Sequence, residues 1–191
     1  MSEDESAESG GRETAVVLDF LPHGRTEDDR PQYQKEPLAY ALDRETFFLY
    51  ELVMEQETDI SIGDPVDIYD SETIQRVNEI DYDDLPGGAA SELDYVIEDL
   101  VEAYEQEFVD FYNDAGPITL RLHQLNLLPG IGKKLRNNIL DERKRKPFES
   151  FDELEERISG LHNPREILVE RILEEIREDD LKYRLFARIE D

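Results

Sequence analysis

LNLLPGIGKKLRNNILDERKRK, residues 125–146, is the stretch on which the reading of the whole chain turns. It predicts a helix end, a tight turn built on Gly130 and Gly132, and a second helix starting at Lys133. Glycine permits backbone torsions and close approaches that a side chain would block. A helix start leaves backbone N–H groups without partners, and its dipole favours an anion there. Lys133 and Lys134 follow the turn directly, so backbone donors and positive charge converge on one short segment.

The charge of the chain sharpens this reading. Its 191 residues hold 49 Asp and Glu against 21 Lys and Arg, for a formal net charge of −28. Residues 121–150 oppose that trend: Arg121, Lys133, Lys134, Arg136, Arg143, Lys144, Arg145 and Lys146 face only Asp141, Glu142 and Glu149. A basic island in so acidic a chain is the footprint of a polyanion site. Basic residues at a helix C-terminus would explain residues 143–146 through the dipole alone. They would not explain two lysines at a helix start, where cations are disfavoured.

Leu128-Pro129-Gly130-Ile131-Gly132-Lys133-Lys134 resembles the hairpin of helix-hairpin-helix nucleic-acid-binding modules. Ile139, Leu140, Arg143, Pro147, Phe148, Phe151 and Leu154 continue the resemblance into a third helix. In such modules the Gly-apolar-Gly turn holds a phosphate through its amides. Arg136 departs from the pattern, which carries a small residue there; a long Arg would have to snorkel outward.

Composition bounds the alternatives. There is no cysteine, which excludes disulfides and thiolate metal sites. No apolar run approaches the ~20 residues of a membrane-spanning helix. The acidic start does not read as a signal peptide. Lysine is confined to Lys35, Lys133, Lys134, Lys144, Lys146 and Lys182. Strong acidity with so little lysine resembles cytosolic proteins of salt-accumulating halophiles, and the chain is expected to be cytoplasmic.

Taken in order, residues 1–13 are polar and acidic and read as a disordered tail. Residues 14–80 read as five short strands, apolar runs set off by turn residues near 15–21, 38–42, 47–53, 62–69 and 74–80, and predict a small OB-like β-barrel. Tyr33, Tyr40, Phe47, Phe48 and Tyr50 are candidate base-stacking platforms there, although most aromatics in a barrel this small belong to its core. Residues 81–117 read as an acidic linker and one long amphipathic helix capped by Ser91 and Asp94. Residues 118–178 read as a tandem helix-hairpin-helix domain, its second hairpin at Gly160 lacking the lysines. Residues 179–191 alternate with period two and predict a final strand. The fold class expected is α+β, an N-terminal small OB-like β-barrel followed by a C-terminal helical domain.

From Ala15 to Ile189 this arrangement is similar to an archaeal (haloarchaeal) family of unknown function, number 655, described as predicted RNA- or nucleic-acid-binding proteins. That resemblance implies a non-enzymatic nucleic-acid-binding protein, with RNA favoured over DNA. The candidate contacts are Gly130, Ile131, Gly132, Lys133, Lys134, Arg136, Arg143, Lys144, Arg145 and Lys146. The alternatives are a DNA-binding repair or recombination accessory protein, or an adaptor whose hairpin domain meets an acidic protein partner. An enzyme is disfavoured: no nucleophile–base pair, P-loop or metal-ligand spacing is present, and His23, His123 and His162 are widely separated. The run Asp81-Tyr82-Asp83-Asp84 reads as a solvated loop. No cofactor, catalytic residue, metal or membrane is expected.

Overall fold

The computed structural model of the chain describes residues 14–187. The acidic tail read over 1–13 and the last four residues of the expected C-terminal strand lie outside them. The fold is α+β: five antiparallel strands forming a curled half-barrel, and five α-helices. Contacts divide it into two units. One holds residues up to Val96 together with Ala187, and the other runs from Ile97 to Phe186.

In the first unit β1 (Ala15–Leu21), β2 (Leu38–Asp43), β3 (Leu49–Met54), β4 (Pro65–Val66) and β5 (Ile74–Ile80) form one sheet in the order β4-β1-β2-β3-β5. All pairings are antiparallel, and β4 and β5 are edges that do not pair with each other. The pairing is irregular between Val17 and Asp19 and between Val53 and Met54. Such bulges bend a strand and increase its twist, which is how a short sheet curls. Ala15, Val17, Ala39, Ala41, Leu52, Met54, Val66, Ile68 and Ile74 form the buried cluster of this unit.

The turn between β2 and β3 is built by Asp43. Its Oδ1 accepts from the backbone N–H groups of Glu45 and Thr46, both at 2.8 Å. Phe47 then takes φ +60 so that its ring is buried.

Helix α1 spans Gly87–Ala103, starting four residues before the Ser91 cap expected from sequence. The glycine pair and Ala89-Ala90 had looked like linker. Gly88 instead lies against β1, where an added Cβ would come 3.0 Å from Asp19 Oδ2. The single long helix expected through Asp114 is also divided: Tyr104 leaves helical geometry and α2 spans Glu105–Asp114.

The second unit contains α2, α3 (Lys133–Arg145), α4 (Phe151–Arg157) and α5 (Pro164–Arg177). Ser150 starts α4 by accepting from the Glu153 N–H at 3.0 Å. Asn113 locks the lead into α4, exchanging bonds with Phe148 N at 2.8 Å and Phe148 O at 2.9 Å. Tyr112 is fully buried and donates to Pro164 O at 2.7 Å.

Residues 179–187 form no strand, contrary to their alternating pattern. Side-chain-to-backbone bonds from α5 hold them instead. Glu175 accepts from the N–H groups of Leu185 and Phe186, each at 2.8 Å, and Arg171 Nη2 donates to Tyr183 O at 2.7 Å. Phe186 packs its ring 5.0 Å from that of Phe111. Among the described residues no helix is long and apolar enough to cross a membrane.

Candidate nucleic-acid interface

The turn before α3 follows directly from Leu128-Pro129-Gly130-Ile131. The Ile131 N–H donates to Leu128 O at 3.2 Å, with Pro129 second and Gly130 third at φ +79. Proline fixes the torsion a type II turn needs at its second position, and the third requires positive φ. Leu128 and Ile131 are buried on either side and anchor the turn. Upstream, His123 caps a 3₁₀ turn over Gln124–Leu127, its Nδ1 accepting from the Leu125 N–H at 3.1 Å.

Gly132 has a different role from Gly130. Its φ of −89 and ψ of −167 are open to any residue, and a Cβ built there meets nothing within 4 Å. Neither torsion nor internal packing requires glycine at this position. A missing side chain over empty space admits the close approach of something outside the chain. Gly132 also starts α3 without a side-chain cap, so the N–H groups of Gly132, Lys133, Lys134 and Leu135 lack acceptors among the described residues. Lys133 and Lys134 are exposed beside them.

Helical phase sorts the remaining basic residues. Lys144 and Arg145 follow Lys133 and Lys134 by three turns and lie on the same exposed face, about 16 Å further along at 1.5 Å per residue. Asn137, Asn138 and Asp141 occupy the middle of that face; the spacing from Lys133 places them there, although the charge-based reading passed over them. Lys146 sits at the end of the helix, 3.8 Å from Glu149 and well exposed.

Arg136 and Arg143 lie off this face, both half-buried and held by protein acceptors, Arg136 also through its Nε to Asn137 Oδ1 at 3.3 Å. Arg136 Nη1 donates to Asn126 Oδ1 at 3.0 Å, while Asn126 Nδ2 reaches Ile131 O at 3.3 Å. The arginine that departs from the small residue of the pattern thus ties the start of α3 to Asn126. Arg143 Nη1 donates to Tyr112 O at 3.1 Å and Ala115 O at 2.7 Å, closing the C-terminus of α2. Burial lowers the Arg143 pKa, in keeping with a guanidinium drawn inside. Burial, and after it the charges of Arg143 and Arg136, hold His123 below the ordinary histidine pKa.

A second turn, before α5, repeats the geometry of the first. Leu161 N–H donates to Ile158 O at 3.2 Å, and Gly160 takes φ +89. Asn163 and Pro164 then start α5, and no lysine follows. Gly160 faces inward, where a Cβ would lie 3.6 Å from the Leu135 side chain.

In the first unit the aromatic candidates differ in exposure, and two arginines near them are paired within the protein. Arg25 reaches the Tyr40 hydroxyl at 3.2 Å and pairs with Glu51, and Arg30 pairs with Asp28 at 2.7 Å. Tyr40 is buried, whereas Tyr33 is exposed. In the acidic run, Asp84 Oδ2 accepts from the Asp81 N–H at 3.1 Å, closing a local turn. Among the described residues no group of three metal-ligating side chains comes together.

A family model described as "Protein of unknown function (DUF655)" matches residues 12–188. An uncharacterized protein of Methanocaldococcus jannaschii is 41% identical over 178 residues, covering 91% of this chain and 79% of that protein. A crystal structure from Archaeoglobus fulgidus, described under the same family model, superposes with a TM-score of 0.82 at 39% identity. It covers 91% of this chain and 98% of its own.

Proposed function

Since this chain belongs to the archaeal family described as protein of unknown function (DUF655), we propose that it is a non-enzymatic nucleic-acid-binding protein that grips a backbone phosphate at the Leu128–Lys134 hairpin. RNA is favoured over DNA. The carrying observation is the segment 132–135: four N–H groups without acceptors among the described residues, an open glycine and two exposed lysines. An anion placed there would accept from the amides and meet the positive end of the helix dipole.

The turns at Gly130 and Gly160 share their hydrogen bond and their positive φ, which supports a tandem helix-hairpin-helix reading of the helical unit. An OB-like reading of the curled sheet goes with it. Lysines and a basic helix end meet the phosphate backbone without reading sequence. The acidity of the rest of the chain suits a cytoplasm rich in salt. At molar salt the screening length falls to about 3 Å. Long-range steering then weakens, while short hydrogen bonds from amides persist.

The test is fluorescence anisotropy in KCl with labelled single- and double-stranded RNA and DNA. Wild type is compared with Lys133→Gln/Lys134→Gln, both checked by circular dichroism. Binding by wild type, weakened about tenfold or more in the variant, supports the reading. Absence of binding to all four nucleic acids across the salt range contradicts it.

A further inference from the structure

The two basic groups on α3 carry an inference about the shape of the ligand. Lys133 and Lys134 stand at one end of the exposed face, and Lys144 and Arg145 at the other, in phase and about 16 Å apart. Between them the face is uncharged at Asn137 and Asn138 and negative at Asp141. The two arginines that would fill the interval are held by protein acceptors: Arg143 by the carbonyls of Tyr112 and Ala115, and half-buried Arg136 by Asn126 Oδ1 at 3.0 Å and Asn137 Oδ1 at 3.3 Å. The positive charge is therefore divided into two ends with an acidic middle.

A protein that follows a single strand needs positive charge all along the path of the backbone. A strand laid on this face would carry its phosphates past Asp141. Two phosphates on opposite sides of a groove fit the division, because the middle of the helix then faces the groove and no phosphate. A separation of about 16 Å overreaches the ~6 Å opening of a B-form minor groove. It suits a wider one, such as the ~12 Å B-form major groove or the broad, shallow minor groove of A-form RNA. Resting on the nucleic-acid reading above, we propose that the ligand is a duplex and that α3 bridges one of its grooves. Lys133 and Lys134 take a phosphate of one strand, and Lys144 and Arg145 one of the other. Asn137 and Asn138 lie over the base edges.

The experiment titrates the full chain by anisotropy against RNA and DNA duplexes and their separated strands across a range of KCl. Three variants accompany wild type: Lys133→Gln/Lys134→Gln, Lys144→Gln/Arg145→Gln, and all four together. A duplex should bind at least about tenfold more tightly than either strand. Each pair should lower the slope of log K against log salt by about 1 to 2, and the two losses should add, as expected for separate phosphates. Single strands binding as tightly as duplex would overturn the bridge while leaving the nucleic-acid reading in place. So would a slope unchanged by Lys144→Gln/Arg145→Gln but lowered by Lys133→Gln/Lys134→Gln. If wild type binds no nucleic acid, both fall together.

Discussion

Arg136 Nη1 lies 3.0 Å from Asn126 Oδ1, joining the first turn of α3 to the segment that precedes the hairpin. Asn126 passes the connection on to Ile131 O, inside the turn itself. Asn126→Ala removes both bonds. It is expected to cost about 1–2 kcal/mol, as for one or two side-chain hydrogen bonds, and to weaken nucleic-acid binding without removing any ligand contact. Urea denaturation with parallel anisotropy checks this. Unchanged stability would show that the brace is dispensable.

Arg143 and Lys144 are neighbours with opposite roles. Arg143→Met abandons the carbonyls of Tyr112 and Ala115 and should destabilise the fold by about 1.5–3 kcal/mol, the range for a charged hydrogen-bonding group. Lys144→Gln should leave stability within about 0.5 kcal/mol, as exposed substitutions do, while lowering the salt slope. Chemical denaturation and salt titration of the two variants form a direct cross-check. A salt slope that fell only in Arg143→Met would reverse the assignment.

This pair also shows what sequence could not resolve. RKRK at 143–146 is a charge run, and nothing in it marks Arg143 as the inward member. Only the phase of α3, fixed by buried Ile139, separates it from its neighbours. The strands were legible because short apolar runs bounded by turn residues mark them, although the run read over 62–69 pairs only at Pro65–Val66. The hairpin was legible because Pro129 and Gly130 supply the torsions of its turn. The start of α1 was hidden by Gly87 and Gly88, of which Gly88 closely approaches Asp19. The break at Tyr104 has no Pro or Gly to announce it. Residues 181–187 alternate like a strand, yet their backbone bonds go to Glu175 and Arg171, a pairing no local pattern reveals.

Arg171 and Glu175 form a buried ion pair at 2.8 Å that also holds this last segment. Removing Glu175 leaves buried Arg171 only its longer contact to Glu174 at 3.4 Å and takes the acceptor from the Leu185 and Phe186 N–H groups. Glu175→Ala is therefore expected to cost about 3–5 kcal/mol. The joint replacement Arg171→Met/Glu175→Ala should be less damaging than the losses of Arg171→Met and Glu175→Ala combined. A double-mutant cycle followed by urea denaturation measures the difference; additive losses would mean the pair is not coupled.

His123 links stability to pH. Its folded-state pKa is depressed, chiefly by burial, so the unfolded chain binds the proton more readily. Its contribution is fully present above the ordinary histidine pKa of about 6.5 and is lost as pH falls from there through the folded value. Protonation of Nδ1 would also remove the acceptor for Leu125 N–H. The urea midpoint of wild type should fall between pH 7.5 and 5.5 more steeply than that of His123→Asn, whose side chain can still cap. Equal slopes would show that His123 carries no such linkage.

The central claim is that the start of α3 receives a phosphate, and Gly132→Asp tests it most directly. The backbone at Gly132 already has an extended torsion, and a side chain there has free space. An aspartate should therefore cap α3, raising stability by about 0.5–1 kcal/mol, while placing a carboxylate where the phosphate would sit. The measurement is the affinity of this variant for the nucleic acid that wild type prefers, alongside its melting temperature. The account predicts a protein at least as stable as wild type with binding reduced tenfold or more. A variant that is equally stable and binds as tightly as wild type would contradict it.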